Sequence, residues 1–144
     1  MIEYTLNTAK EFEILKHLER CDKDFIPLLS ERVDIIDYSW KIYHKAITFS
    51  AWNENNDLIG LVAMYETDNN GGFITSVSVV NDYKKQGVGF ILMKRCIAFA
   101  INNKYKKLYL EVDHKNTPAL ELYKKFGFII INTKNNTYEC TKEL

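Results

Sequence analysis

The chain has 144 residues, enough for one domain with a real core and too few for two comfortable ones. Hydrophobic residues make up 47% and charged residues 26%, ordinary globular usage, and 13% aromatics point to a core built around rings. Nineteen basic residues cancel nineteen acidic ones, so no global field holds the chain on nucleic acid or an anionic membrane.

Cys21, Cys96 and Cys140 lie far apart and are odd in number, and His17, His44 and His114 are scattered. No spacing suits a metal, so none is expected, and free thiols fit a reducing compartment. The opening MIEYTLNTAKEFE has neither a basic start nor an apolar stretch, and no run approaches the roughly 20 apolar residues of a membrane span. The expectation is one cytoplasmic domain over residues 1–144.

IEYTL at 2–6 alternates as a short strand. Thr8 is placed to cap a helix running to about Arg20, with Phe12, Leu15 and Leu18 on one face. Residues 24–30 read as a turn or short helical piece around Pro27, and Asp34 or Asp37 then opens a second helix through Trp40, Tyr43 and Lys45. From Ala46 the texture changes. AITFSAWN, LIGLVAMYE and FITSVSVV are strands separated by the turns NENND and DNNGG, a meander.

NDYKKQGVGFILMKRC at 81–96 follows, with Ile91, Leu92, Cys96, Phe99 and Ala100 giving a helix of about four turns. KKLYLEV is a strand at 106–112. Thr117-Pro118 starts another helix, which Gly127 ends in a left-handed conformation, and FIII and TYECT close the chain as strands. The order is β-α-α-β-β-β-α-β-α-β-β, an α/β fold with a mixed sheet.

Gly87-Val88-Gly89 stands between a strand and a helix, behind Lys84, Lys85 and Gln86. Free N–H groups and the macrodipole make a helix start attractive to anions, and glycines admit close approach. The stretch therefore reads either as a phosphate cradle or as a glycine turn with solvated lysines. A Rossmann loop requires a third glycine where Leu92 stands, and no Gly-Lys-Ser/Thr P-loop occurs.

Lys84-Lys85-Gln86-Gly87-Val88-Gly89 resembles the pyrophosphate loop of the GNAT superfamily of N-acetyltransferases, Arg/Gln-x-x-Gly-x-Gly/Ala, with Lys in place of Arg or Gln at the first position. A second stretch, LEVDHKNTPALELYKKFGF, is similar to the later motif of that family through Leu110, Glu111, Val112, Asn116, Ala119, Leu122, Tyr123, Gly127 and Phe128. The two motifs stand in the family's order and cover roughly residues 46–132; the first 45 residues match only as two helices after a strand. The resemblance implies a GNAT-type mixed, mostly antiparallel sheet with flanking helices.

The resemblance further implies an acetyltransferase using acetyl-CoA as co-substrate and a small-molecule amine as acceptor, an amino sugar or nucleotide-linked amino sugar among the options. It implies that Val77 and Val79 border the pantetheine arm, that Val79's N–H polarises the thioester carbonyl, and that Gln86, Gly87, Val88, Gly89 and Phe90 take the pyrophosphate beside Lys84 and Lys85. Asn116 and Ala119 border the same site, Asn116 serving either the pantetheine or its own turn. Tyr123 is the expected proton donor to the leaving thiolate.

Thr75, Ser76 and Ser78 stand where the fourth strand would carry a carboxylate, so Glu66, Asp68, Asp113, His114 or water is left as the base. In the stretch CDKDFIPLLSERVDIIDYSWKIYHK at 21–45, Phe25, Tyr38, Trp40 and Tyr43 are candidates to wall an acceptor pocket, and Asp24, Glu31 or Asp34 to attract an amine. The resemblance also makes a homodimer through the last strands an expectation. The other reading is a non-catalytic acyl-CoA-binding sensor or interaction module, since the strand carboxylate is missing and Lys84 departs from the family pattern.

Overall fold

A computed structural model describes all 144 residues. Strand β1 (Glu3–Leu6) leads into helix α1 (Glu11–Cys21), a 3-10 turn at Asp22–Asp24, the one-turn helix α2 (Leu29–Arg32) and helix α3 (Ile35–Lys45). The meander β2 (Ile47–Trp52), β3 (Leu58–Thr67) and β4 (Gly71–Val79) follows. Helix α4 (Val88–Asn102), β5 (Lys107–Asp113), α5 (Thr117–Lys125), β6 (Ile129–Lys134) and β7 (Thr137–Glu143) complete the chain. The order matches the sequence expectation, with α2 as the short piece after Pro27.

The seven strands form one sheet in the order β1-β2-β3-β4-β5-β7-β6, antiparallel at every joint except β4–β5. That one parallel joint requires the crossover that α4 supplies. Buried side chains fall into two clusters. Ile14, Leu18, Leu29, Ile42, Leu61 and Ala63 pack α1 and α3 on one face. Val62, Met64, Leu92, Met93, Leu108, Tyr123 and Phe128 pack α4 and α5 on the other. Gly60 sets how closely α4 lies on β3: a Cβ there would meet Val88 Cγ1 at 2.8 Å.

The first helix corrects the sequence reading. It begins at Glu11, and Glu13 Oε1 accepts the Lys10 N–H at 2.9 Å, while Thr8 is held by Thr5 through their hydroxyls. Its buried side is Ile14, His17, Leu18 and Cys21, and Phe12 is 67% exposed. Buried His17 turns the packing face away from the line that Phe12, Leu15 and Leu18 suggested.

β4 and β5 pair only from Gly71↔Lys107 to Ile74↔Leu110. Beyond that point β4 stays on β3 through Val79 and β5 stays on β7 through Asp113, so the two strands diverge. Thr75 lies where the β3–β4 register shifts, opposite no residue of β3, and a bulge there bends the strand at the start of the gap. Tyr38 holds the bulge by donating to Thr75 O at 2.8 Å.

Candidate functional site

The gap opens into a cleft of about 690 Å³ lined by residues of β4, the loop before α4, the start of α4, α5 and the segment after α1. β4 presents backbone to it. Val80 N–H donates to Ile59 O on β3 at 2.9 Å, so strand alternation turns the N–H and C=O groups of Val79 and Val77 toward the gap.

At the next wall, Gly87 has φ +81°, a left-handed conformation natural to glycine, and Lys85 shares that region at φ +65°. The N–H groups from Lys85 to Phe90 find no backbone acceptor, and the first bond of α4 is Ile91 N–H to Gly87 O at 3.0 Å. A run of free donors at a helix start, flanked by Lys84 and Lys85, is an anion cradle by charge and hydrogen-bond capacity. The group that the motifs imply thus finds donors suited to its phosphates and an unpaired strand edge suited to its amide-bearing arm.

The third wall is α5. Asn116 caps it, accepting Ala119 N–H at 3.3 Å, which leaves the Asn116 side-chain NH₂ without a protein partner. Tyr123 is buried, and its surroundings push the phenol well above its usual pKa, first through burial and then through the neighbouring Cys140 thiol. It therefore stays protonated at neutral pH. No protein hydrogen bond acts on its hydroxyl, and its ring borders both the cleft and a smaller apolar cavity with Leu120, Phe128, Ile129, Ile130 and Cys140.

Val77, Val79, Lys84, Lys85, Gly87, Val88, Gly89, Phe90, Asn116, Ala119 and Tyr123 all line this one cleft. Gln86 does not: its side chain turns back to donate to Asp82 O at 3.2 Å. Of the residues between the first helices, Asp24, Phe25 and Ile26 reach the cleft, and Asp24 Oδ2 lies 3.3 Å from Lys84 Nζ. Asp34 is the cap of α3, accepting Asp37 N–H at 3.1 Å. Trp40 and Tyr43 lie outside, exposed and clustered with His44.

The carboxylates divide by position. Glu66 faces Gly72 at the opposite end of β4, and Asp68 lies in the turn beyond it, so neither reaches the gap. Asp113 accepts Lys115 N–H at 2.8 Å and His114 Nδ1 lies 2.9 Å from Asn136 O, which ties both into the turn after β5. Glu111 is the carboxylate that the sequence reading passed over. It follows Leu110, where β5 leaves β4, projects to the face opposite Leu110 and Val112, and stands directly across from Glu139 on β7. Alternation in LYLEV signals its face; the divergence that makes the position matter leaves no mark in the sequence.

On that same face Tyr38 also bonds Thr75 Oγ1 at 2.7 Å, and the buried Tyr65 hydroxyl and Ser76 Oγ have no partner. Burial holds the Tyr38 phenol above its usual range, and the Tyr65 phenol is pushed up to about 12, again chiefly by burial.

The sequence pattern of the acetyltransferase (GNAT) family matches residues 12–128. Streptothricin acetyltransferase of Streptomyces lavendulae is 30% identical over 95 residues, 65% of this chain and 50% of that protein. Streptothricin acetyltransferase A of Bacillus subtilis (strain 168) is 33% identical over 97 residues, 67% of this chain and 56% of that protein. The chain thus spans about half the length of these curated relatives. A GNAT-family acetyltransferase from Staphylococcus aureus Mu50 shares the fold over 100% of this chain and 99% of its own, with TM-score 0.82 and 16% identity. The PaiA N-acetyltransferase of Thermoplasma acidophilum, solved with coenzyme A, does so over 100% and 99%, with TM-score 0.77 and 14% identity. With the family pattern spanning most of the sequence and the fold shared end to end, this chain belongs to the GNAT acetyltransferase family.

Proposed function

We propose that the protein is an acetyl-CoA-dependent N-acetyltransferase that moves the acetyl group directly to a primary amine of a small molecule. The observation that carries this reading is one cleft holding three things: free N–H donors at the start of α4, the unpaired edge of β4, and the partnerless hydroxyl of Tyr123.

In this reading the backbone N–H groups from Lys85 to Phe90, with Lys84 and Lys85, hold the pyrophosphate. The edge of β4 aligns the pantetheine amides, with the Asn116 NH₂ available to the same arm. Val79 N–H faces the carbonyl oxygen and stabilises the charge that grows there as the amine attacks. The C–N bond forms, the C–S bond breaks, and Tyr123 gives its proton to the departing thiolate. A phenol with reference pKa near 10 suits a thiol with reference pKa near 8.5 only in a dry site, which the burial of Tyr123 supplies.

Glu111 does not itself line the cleft, so in this reading it takes the proton from the incoming amine through water. Glu139 stands directly across from it on β7, a like-charge pairing that does not add to the stability of the strand pair. The relatives' names point to more than one acceptor class, since the similar Escherichia coli (strain K12) protein YiaC is a peptidyl-lysine N-acetyltransferase. In this reading the acceptor is a small molecule held on the side of the cleft bordered by Asp24, Phe25 and Ile26. A homodimer through β6 is part of the reading, since Ile129, Ile130 and Ile131 are exposed on the outermost strand of the sheet.

Thiol release from acetyl-CoA against polyamines, aminoglycosides, amino acids, nucleotide-linked amino sugars and short peptides tests the proposal. Release with one class supports an enzyme. Calorimetric binding of acetyl-CoA with no release from any class would favour a sensor instead.

A further inference from the structure

The ion pair between Lys84 and Asp24 crosses the cleft. Lys84 begins the loop that leads into α4, and Asp24 ends the 3-10 turn after α1. Their side chains are 44% and 26% exposed, so both are partly withdrawn from water. No hydrogen bond supports Asp24, which makes Lys84 its one partner. The cleft has only one other carboxylate, Glu121 on α5, whereas Lys85 and Lys125 remain as cations.

We propose that Asp24 anchors a non-reacting ammonium group of the acceptor, and that Lys84 covers Asp24 until the pyrophosphate of acetyl-CoA draws Lys84 away. This rests on the assignment of the Lys84–Phe90 loop to the pyrophosphate. Once Lys84 turns to the phosphates, Asp24 is left as a partly buried carboxylate without a counter-charge, and a cation restores the balance.

The cation it holds is not the amine that reacts. A carboxylate contact favours the ammonium form, and only the unprotonated amine has the lone pair to attack. The acceptor therefore carries at least two amino groups, one to be acetylated and one to remain charged on Asp24. Phe25 and Ile26, beside Asp24 in the cleft, suit an alkyl or ring segment between the two. Because the two ligands trade one lysine, each favours the other, and the amine binds better after the cofactor.

The first arm of the test is calorimetry with CoA on wild type, Asp24→Asn, Lys84→Met and the double variant. Asp24→Asn is expected to tighten CoA roughly two- to fivefold, the scale of a partly exposed ion pair, and to have no effect in the Lys84→Met background. Equal tightening in both backgrounds would mean simple repulsion of phosphate by Asp24 and would overturn the exchange, as would no tightening. Unchanged CoA affinity in Lys84→Met would instead sink the loop assignment.

The second arm compares 1,4-diaminobutane with butylamine as acceptors. Wild type is expected to favour the diamine at least tenfold in kcat/KM, mostly through KM, and Asp24→Asn to bring the ratio near one. Glu121→Gln is expected to keep the preference. An equal preference in Asp24→Asn, or none in wild type, would overturn the anchoring role.

Discussion

The Nε2 atom of His17 lies 2.8 Å from the Ser78 hydroxyl, and Nδ1 of the same ring lies 3.1 Å from Leu58 O. A carbonyl can only accept, so Nδ1 carries the proton and Nε2 accepts from Ser78. One neutral imidazole therefore ties α1 to the first residue of β3 and to the cleft wall of β4. Burial, the largest cause, depresses its pKa to about 4 from 6.5.

The sign of the pH dependence follows. His17 binds a proton in the unfolded chain below about 6.5 but not in the folded one until about 4, so its contribution is intact above 6.5 and lost as pH falls toward 4. The loss at pH 5 amounts to roughly 2 kcal/mol. Denaturant unfolding from pH 7 to 4.5 checks it, with His17→Gln expected to flatten the slope. NMR titration of the His17 ring in wild type gives an independent reading, and a midpoint above 6 would contradict the account.

The two loop glycines separate stability from binding. Gly87→Ala forces a side chain into a left-handed conformation and is expected to cost about 1 kcal/mol, seen as a lowered Tm. An added Cβ at Gly89 meets nothing closer than Val79 Cγ2 at 3.7 Å and the family pattern admits Ala at this place, so Gly89→Ala is expected to leave Tm and CoA affinity nearly unchanged, while the longer side chain of Gly89→Gln is expected to weaken CoA where the backbone must be approached. Undisturbed CoA binding in Gly89→Gln would reverse the assignment.

Glu111→Gln is expected to lower kcat/KM for the amine about a hundredfold at pH 7 without lowering Tm, because it relieves the like-charge pair with Glu139. The deficit narrows as pH rises toward the pKa of the amine, since an unprotonated acceptor needs less help. Glu66→Gln, at the far end of β4, is expected to leave the rate unchanged. A pH-independent deficit would remove Glu111 as the base.

Ile131 is 54% exposed on β6, so Ile131→Lys leaves the core untouched. Sedimentation velocity is expected to show a dimer for wild type and a monomer for the variant. A wild-type monomer across micromolar concentrations would remove the dimer from the account.

The sequence made the strand-loop-helix unit at Gly87 and the α5 motif legible, because turn chemistry and helix caps are local. The face of α1 was not, since buried His17 and exposed Phe12 invert the usual preference. Three features come from tertiary structure alone: the divergence of β4 and β5 after Ile74 and Leu110, the Thr75 bulge, and the reach of Asp24 across the cleft. Glu66 and Asp68 looked eligible in sequence because distance along a strand says nothing of which end of the sheet opens.

The most direct measurement is thiol release by wild type and Tyr123→Phe with the best amine of the panel, alongside CoA affinity for both. The account predicts that the substitution slows turnover about a hundredfold or more and leaves CoA affinity within about twofold, because the phenol serves the leaving thiolate and not the cofactor. Equal turnover by the two proteins would contradict it.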